Sequence, residues 1–131
     1  MAPSSLLNHN FNISHHGSYV VLLHHPEWIV GVDVTELSVP DGLSIEEYSE
    51  SLHSQFSRDE WLFLSSLTEN YKLKYLMSLW ALKEAFVKAI GKGIVEGLKN
   101  INFKSQSQPH DLSFLKSFTL DVSILPLFFF I

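Results

Sequence analysis

From about Tyr71 to Ile90 the chain carries one continuous helical pattern, and a helix of that length dictates what the remainder can pack around. At about 100° per residue, Leu79, Leu82, Ala85, Phe86, Ala89 and Ile90 share one side, which is expected to face a core. Glu84 and Lys88 stack on the opposite side, with Trp80 one turn before Glu84 and Lys83 flanking them. Gly91 or Gly93 ends the pattern, since glycine accepts the left-handed cap. Two shorter helices should precede it, each opened by a capping box. Ser44 with Glu47 stands ahead of Ile45, Tyr48, Leu52 and Phe56; Ser57 with Glu60 stands ahead of Trp61, Leu64 and Leu67. Thr68-Glu69-Asn70 makes the break before the long helix.

Strand signals lie on either side of the helices. Tyr19–Leu23 and Trp28–Val34 are rich in β-branched residues and bounded by turn residues such as Gly17 and Pro26, so they read as a pair of strands. Leu98–Phe103 and Phe118–Val122 read as two more, separated by a polar loop. Strands, then helices, then strands again predict an α+β fold, an antiparallel sheet with helices packed on one face.

Composition removes whole classes of function. A net charge of −5 argues against nucleic acid as a partner, because neutralising phosphates needs clustered Lys and Arg. Without cysteine there is no disulfide, thiolate nucleophile or zinc–thiolate site, a composition compatible with the cytoplasm, where the chain is expected. The apolar end Ile124–Ile131 contains Pro126 and falls far short of the ~20 residues of a membrane-spanning helix. No membrane association is expected, and the first residues do not read as a signal peptide. His15-His16 and His24-His25 do not suggest zinc, since neighbours on a strand point to opposite faces.

Two carboxylates stand out. Asp33 sits inside the apolar run Val30-Gly-Val-Asp-Val34, where an ionised group is costly without a partner. Glu84 lies on the polar side of the long helix. A strand aspartate and a helix glutamate can together make a hard oxygen site for Mg²⁺, completed by water and a substrate phosphate. Lys88, one turn from Glu84, could then meet phosphate as a point charge; it projects away from the apolar arc and is expected to be dispensable to folding. The alternative for Glu84 and Lys88 is an ordinary salt bridge on a solvated helix face.

Three segments occur in a telling order: Phe11-Asn-Ile-Ser-His-His-Gly17, Val30-Gly-Val-Asp-Val34, and Trp80-Ala-Leu-Lys-Glu-Ala-Phe-Val-Lys88. Together they resemble the signatures of the 4′-phosphopantetheinyl transferases, the enzymes that move the phosphopantetheine arm of coenzyme A onto a serine of an apo acyl or peptidyl carrier protein. The wording is most similar to the large stand-alone eukaryotic type, which serves aminoadipate-semialdehyde dehydrogenase and fatty acid synthase carrier domains. The resemblance implies that Asp33 and Glu84 hold Mg²⁺ against the coenzyme A pyrophosphate. It implies Glu84 as base, directly or through water, and Lys88 as the group that contacts phosphate and stabilises the departing 3′,5′-ADP. Lys83 would help hold the nucleotide, and Asn12, Ser14 and His15 would complete its binding site. Where bacterial stand-alone members carry a second acid two places after the aspartate, this chain has Thr35, with Glu36 one step beyond on the opposite face. Water is expected at that coordination position.

The family builds its coenzyme A cleft between two similar lobes, and this chain resembles the second, C-terminal one. Residues 1–9 are expected to be a flexible lead-in, 10–123 the transferase lobe, and 124–131 an apolar tail without family likeness. On this reading the chain is a fragment, and the basic residues the first lobe contributes to nucleotide binding are absent, so transfer by the isolated chain should be poor. A module that keeps the fold but only binds carrier protein or dimerises is the alternative.

Overall fold

The structure is a computed structural model and describes residues 10–27, 29–90, 99, 102–105 and 118–120. Residues 1–9 and 124–131, the expected lead-in and tail, lie outside the described residues. The expected α+β class is observed, with two antiparallel strand pairs and three α-helices among the described residues. No helix among the described residues is long and apolar enough to cross a membrane.

The first hairpin joins β1 (Asn10–His16) to β2 (Tyr19–His25), in a register that places Ile13 opposite Leu22 and Ser14 opposite Val21. A two-residue turn connects them, and Gly17 adopts φ 56°, a left-handed value that favours glycine. The expected pairing of Tyr19–Leu23 with Trp28–Val34 is therefore corrected: the partner of β2 is β1, and residues 29–36 belong to no ladder. The polarity of the hairpin is inverted. Phe11, Ile13, Val20 and Leu22 share one face and are exposed, up to 75% for Val20, whereas Ser14 on the other face is buried.

Both capping boxes form as expected. Ser44 caps α1 (Ile45–Ser51) and Ser57 caps α2 (Arg58–Ser66), each accepting from the N–H of its glutamate while that carboxylate accepts from the cap N–H. Helix α1 stops at Ser51, short of the expected reach to Phe56, and His53–Gln55 forms a 3₁₀ turn. The long helix α3 runs Glu69–Ile90, starting slightly earlier than expected. Strands β3 (Phe103–Ser105) and β4 (Phe118–Leu120) pair antiparallel. Of the expected strand Leu98–Phe103, Leu98, Asn100 and Ile101 lie outside the described residues and, among the others, Phe103 alone is in a strand; the last two residues of Phe118–Val122 also lie outside.

The described residues fall into two compact units. One holds residues 37–80 with 99, 102–105 and 118–120; the other holds 10–36, residue 28 aside, with 81–90. In the first, Ile45, Phe56, Leu64, Leu76, Met77, Leu79 and Phe103 are buried, as is Glu60. Glu60 is more than a cap. Its Oε2 accepts from Ser57 N–H at 2.8 Å and its Oε1 accepts from Phe103 N–H at 2.8 Å, tying α2 to β3. Ser57 Oγ adds a bond to Asn102 Oδ1 at 2.7 Å. Burial, with the Glu60 charge adding to it, pushes the Tyr75 phenol well above the usual tyrosine range.

The two boxes share a motif and differ in surroundings, which sets up a comparison. Glu47→Ala, at an exposed cap, should cost about 0.5–1 kcal/mol. Glu60→Ala should cost about 2–4 kcal/mol, since it also strands the buried Phe103 N–H. Chemical denaturation of the two variants measures the gap.

Candidate functional site

The unit formed by the hairpin, residues 29–36 and the end of α3 brings most of the sequence-predicted site residues together. Residues 30–34 lie against α3 at Gly31, where a Cβ would overlap the Ala85 carbonyl oxygen and come within 2.9 Å of Ala89 Cβ. Only glycine permits that approach. Val30 and Val32 are buried beside it in sequence, along with Leu82, Ala85 and Phe86 of α3.

Side chains of β1 hold this segment where a strand's backbone might have done so. Val32 N–H donates to Asn12 Oδ1 at 2.9 Å, and Val34 N–H donates to Ser14 Oγ at 3.1 Å. The Ser14 hydroxyl in turn donates to Asp33 Oδ1 at 3.2 Å. Asp33 is thus bracketed by two anchored neighbours and gripped at its carboxylate, with 14% of its side chain exposed.

Lys88 closes the arrangement from α3. Its ammonium donates to Val32 O at 3.1 Å, to Asp33 Oδ1 at 3.3 Å and to Ile13 O at 3.4 Å. The expectation that Lys88 is dispensable to the fold is corrected by these contacts, since its three donors join β1, the Asp33 segment and the helix. Glu84, one turn earlier, is half-buried. Burial pushes its carboxyl above the usual range, the Asp33 charge raises it further, and the Lys88 ammonium opposes both. The two carboxylates are therefore within electrostatic reach of each other, and both are hard oxygen donors of the kind Mg²⁺ takes alongside water and phosphate. Among the described residues no group of three or more His, Cys, Asp or Glu side chains could hold a metal ion, so protein ligation would rest on this pair.

The other expected residues are placed less centrally. His15 is exposed and alternates to the face opposite Ser14. Lys83 is fully buried on α3, away from solvent, where a charged head requires polar partners. Glu36 is exposed and pairs with His16 Nε2 at 3.4 Å, while Thr35 is half-buried. The anchoring of the segment by β1 was not anticipated from sequence. The alternation of Asn10, Asn12 and Ser14 with Phe11 and Ile13 was the signal for that strand.

Two outcomes test this geometry. Gly31→Ala should lower stability by about 1–3 kcal/mol, because the obstructing atom is helix backbone and the segment must lift away; thermal unfolding measures it. For Glu84 the sign follows from its raised value. The folded chain binds the proton more tightly than the unfolded chain, so stability falls as pH rises from about 4.5 through the raised value. In metal-free buffer Glu84→Gln should remove that loss, gaining on the parent chain between pH 4.5 and neutrality in paired denaturation curves.

Comparison with known proteins gives the family. The sequence model of the 4′-phosphopantetheinyl transferase superfamily matches residues 29–124. The L-aminoadipate-semialdehyde dehydrogenase-phosphopantetheinyl transferase of Xenopus laevis is 41% identical over 96 residues, 72% of this chain and 32% of the relative. The protein of the same name from Homo sapiens is 40% identical over 97 residues, 73% of this chain and 31% of the relative. A phosphopantetheinyl transferase of Thraustochytrium sp. is 41% identical over 100 residues, 72% of this chain and 35% of its own length. The chain spans about a third of the length of these relatives. With Asp33, Glu84 and Lys88 all inside the matched region, the chain belongs to the 4′-phosphopantetheinyl transferase superfamily.

Proposed function

We propose that this chain takes part in transferring the 4′-phosphopantetheine arm of coenzyme A to a serine of an apo acyl or peptidyl carrier protein, with Mg²⁺ as cofactor. The observation that carries the reading is the Asp33–Lys88 ion pair placed where both charges act on Glu84, within a family-matched region. In the reaction the serine oxygen bonds to the phosphorus that bears the pantetheine arm, and the bond from that phosphorus to 3′,5′-ADP breaks. The serine proton goes to Glu84, directly or through water; a carboxyl with a raised proton affinity suits that task. Bound Mg²⁺ would supply positive charge to the pyrophosphate oxygens, with Asp33 and Glu84 as its protein ligands. All three Lys88 donors already have acceptors, so contact with the leaving phosphate replaces one of them. His15, exposed on β1, completes the proposed nucleotide contacts, whereas the contact expected of Lys83 is corrected, since its side chain is fully buried. The cytoplasm is the proposed compartment, with which a chain free of cysteine is compatible.

A second reading is favoured by charge. Nine basic against fourteen acidic residues leave little to hold a polyanion, which suits a module that binds carrier protein without modifying it. Mass spectrometry separates the two. Apo carrier protein incubated with the chain, coenzyme A and Mg²⁺ should gain the phosphopantetheine mass slowly, and the gain should vanish with chelator or in Glu84→Gln. Carrier that stays unmodified after prolonged incubation, yet co-elutes with the chain, would sink the catalytic reading and uphold the second.

A further inference from the structure

We infer that Asn12 and Ser14 are positioning residues, acting on the reaction through Asp33 by fixing the backbone on both sides of it. The inference rests on the reading of Asp33 as a metal ligand. Both side chains come from alternate positions of β1 and reach alternate N–H groups of the segment, at the same sequence offset of 20 residues. Two matched bonds define a register, as a pair of ladder bonds would, and here side chains supply them. Asp33 lies between the two held residues, so its Cα cannot slide along β1 without breaking one bond or the other.

The chemistry of Ser14 narrows its role. A hydroxyl has one proton and two lone pairs. Its proton goes to Asp33 Oδ1, and its oxygen accepts from Val34 N–H. A phosphate contact from that same hydroxyl would need the proton that Asp33 holds. Asn12 Oδ1 is likewise engaged by Val32 N–H. The nucleotide-binding role that the resemblance implies for the Ser14 hydroxyl thus gives way to an indirect one, while Asn12 holds the segment through its Oδ1. Hairpin polarity supports this: the face carrying Asn12 and Ser14 turns inward while Phe11 and Ile13 stay exposed, an arrangement that core formation alone would reverse.

The test reads position and cation binding separately, on the chain as it is. Amide hydrogen exchange at Val32 and Val34 reports the two bonds, and Mn²⁺ binding, followed by electron paramagnetic resonance, reports the carboxylate site. Asn12→Ala and Ser14→Ala should speed exchange at Val32 and Val34 respectively. Each should also weaken Mn²⁺ binding about two- to tenfold, the loss of one hydrogen bond's worth of positioning. Ser14→Thr, which keeps the hydroxyl, should restore both readouts. Should Ser14→Ala fail to fold, Asn12→Ala compared with Asn12→Asp, which retains an acceptor, decides the matter. Faster exchange with unaltered Mn²⁺ affinity would overturn the inference and leave the two side chains purely structural. Asp33→Asn provides the separation: Mn²⁺ binding that ignores this change overturns the metal reading of Asp33, and the positioning role with it. Binding that needs Asp33 but ignores Asn12 and Ser14 overturns the positioning role alone.

Discussion

A peptide segment without a strand partner still has to satisfy its backbone groups, and around Asp33 that requirement shapes the whole site. Gly31 lets the segment lie directly on α3, too close for any side chain to intervene. Buried backbone donors and acceptors left unpaired there would each cost about 1–3 kcal/mol. Asn12 and Ser14 meet the N–H groups of Val32 and Val34, and Lys88 meets the carbonyl of Val32. The polar groups that hold the segment also converge on the Asp33 carboxylate. The fold and the proposed chemistry therefore draw on the same few atoms.

Charge balance gives that convergence its functional sense. Asp33 and Glu84 bring two carboxylates to one neighbourhood, and Lys88 brings one ammonium. The balance shows in Glu84, whose proton affinity rises because burial and the Asp33 charge outweigh the help from Lys88. A site with surplus oxygen donors and a partly uncompensated carboxylate suits a further cation. It equally suits a proton in the cation's absence, and this competition is why the same residue can be read as both ligand and base.

What could be read from the sequence divides along physical lines. Local signals were legible: both capping boxes and, to within two residues at its start, the extent of α3, because each depends on neighbours within a turn or two. The β1–β2 pairing was not. The apolar run at 30–34 looked like the better strand because strand propensity rewards β-branched residues, yet its burial comes from lying on a helix. The true strand interleaves asparagine and serine with phenylalanine and isoleucine, and its polar side is the inward one, contrary to the usual rule. Lys88 was placed on the right side of its helix, but its partners lie 55 and 56 residues away, beyond any periodicity.

The burial of α3 bears on the two readings open for Glu84 and Lys88 from sequence. A solvated face carrying an i,i+4 pair would leave one side of the helix exposed over several turns. Instead Tyr75 to Leu79, Ala81 to Lys83, Ala85 and Phe86 are buried, covering the helix on nearly every side. Trp80, Glu84 and Lys88, four residues apart in succession, remain half-buried. A helix enclosed this way has little room for ordinary surface charge, and a charge kept there needs partners on other elements. Lys88 finds them on β1 and the Asp33 segment. The strip Trp80–Glu84–Lys88 is thus the half-buried side of the helix along and just beyond the buried stretch Tyr75 to Phe86, and the family match extends across all of it.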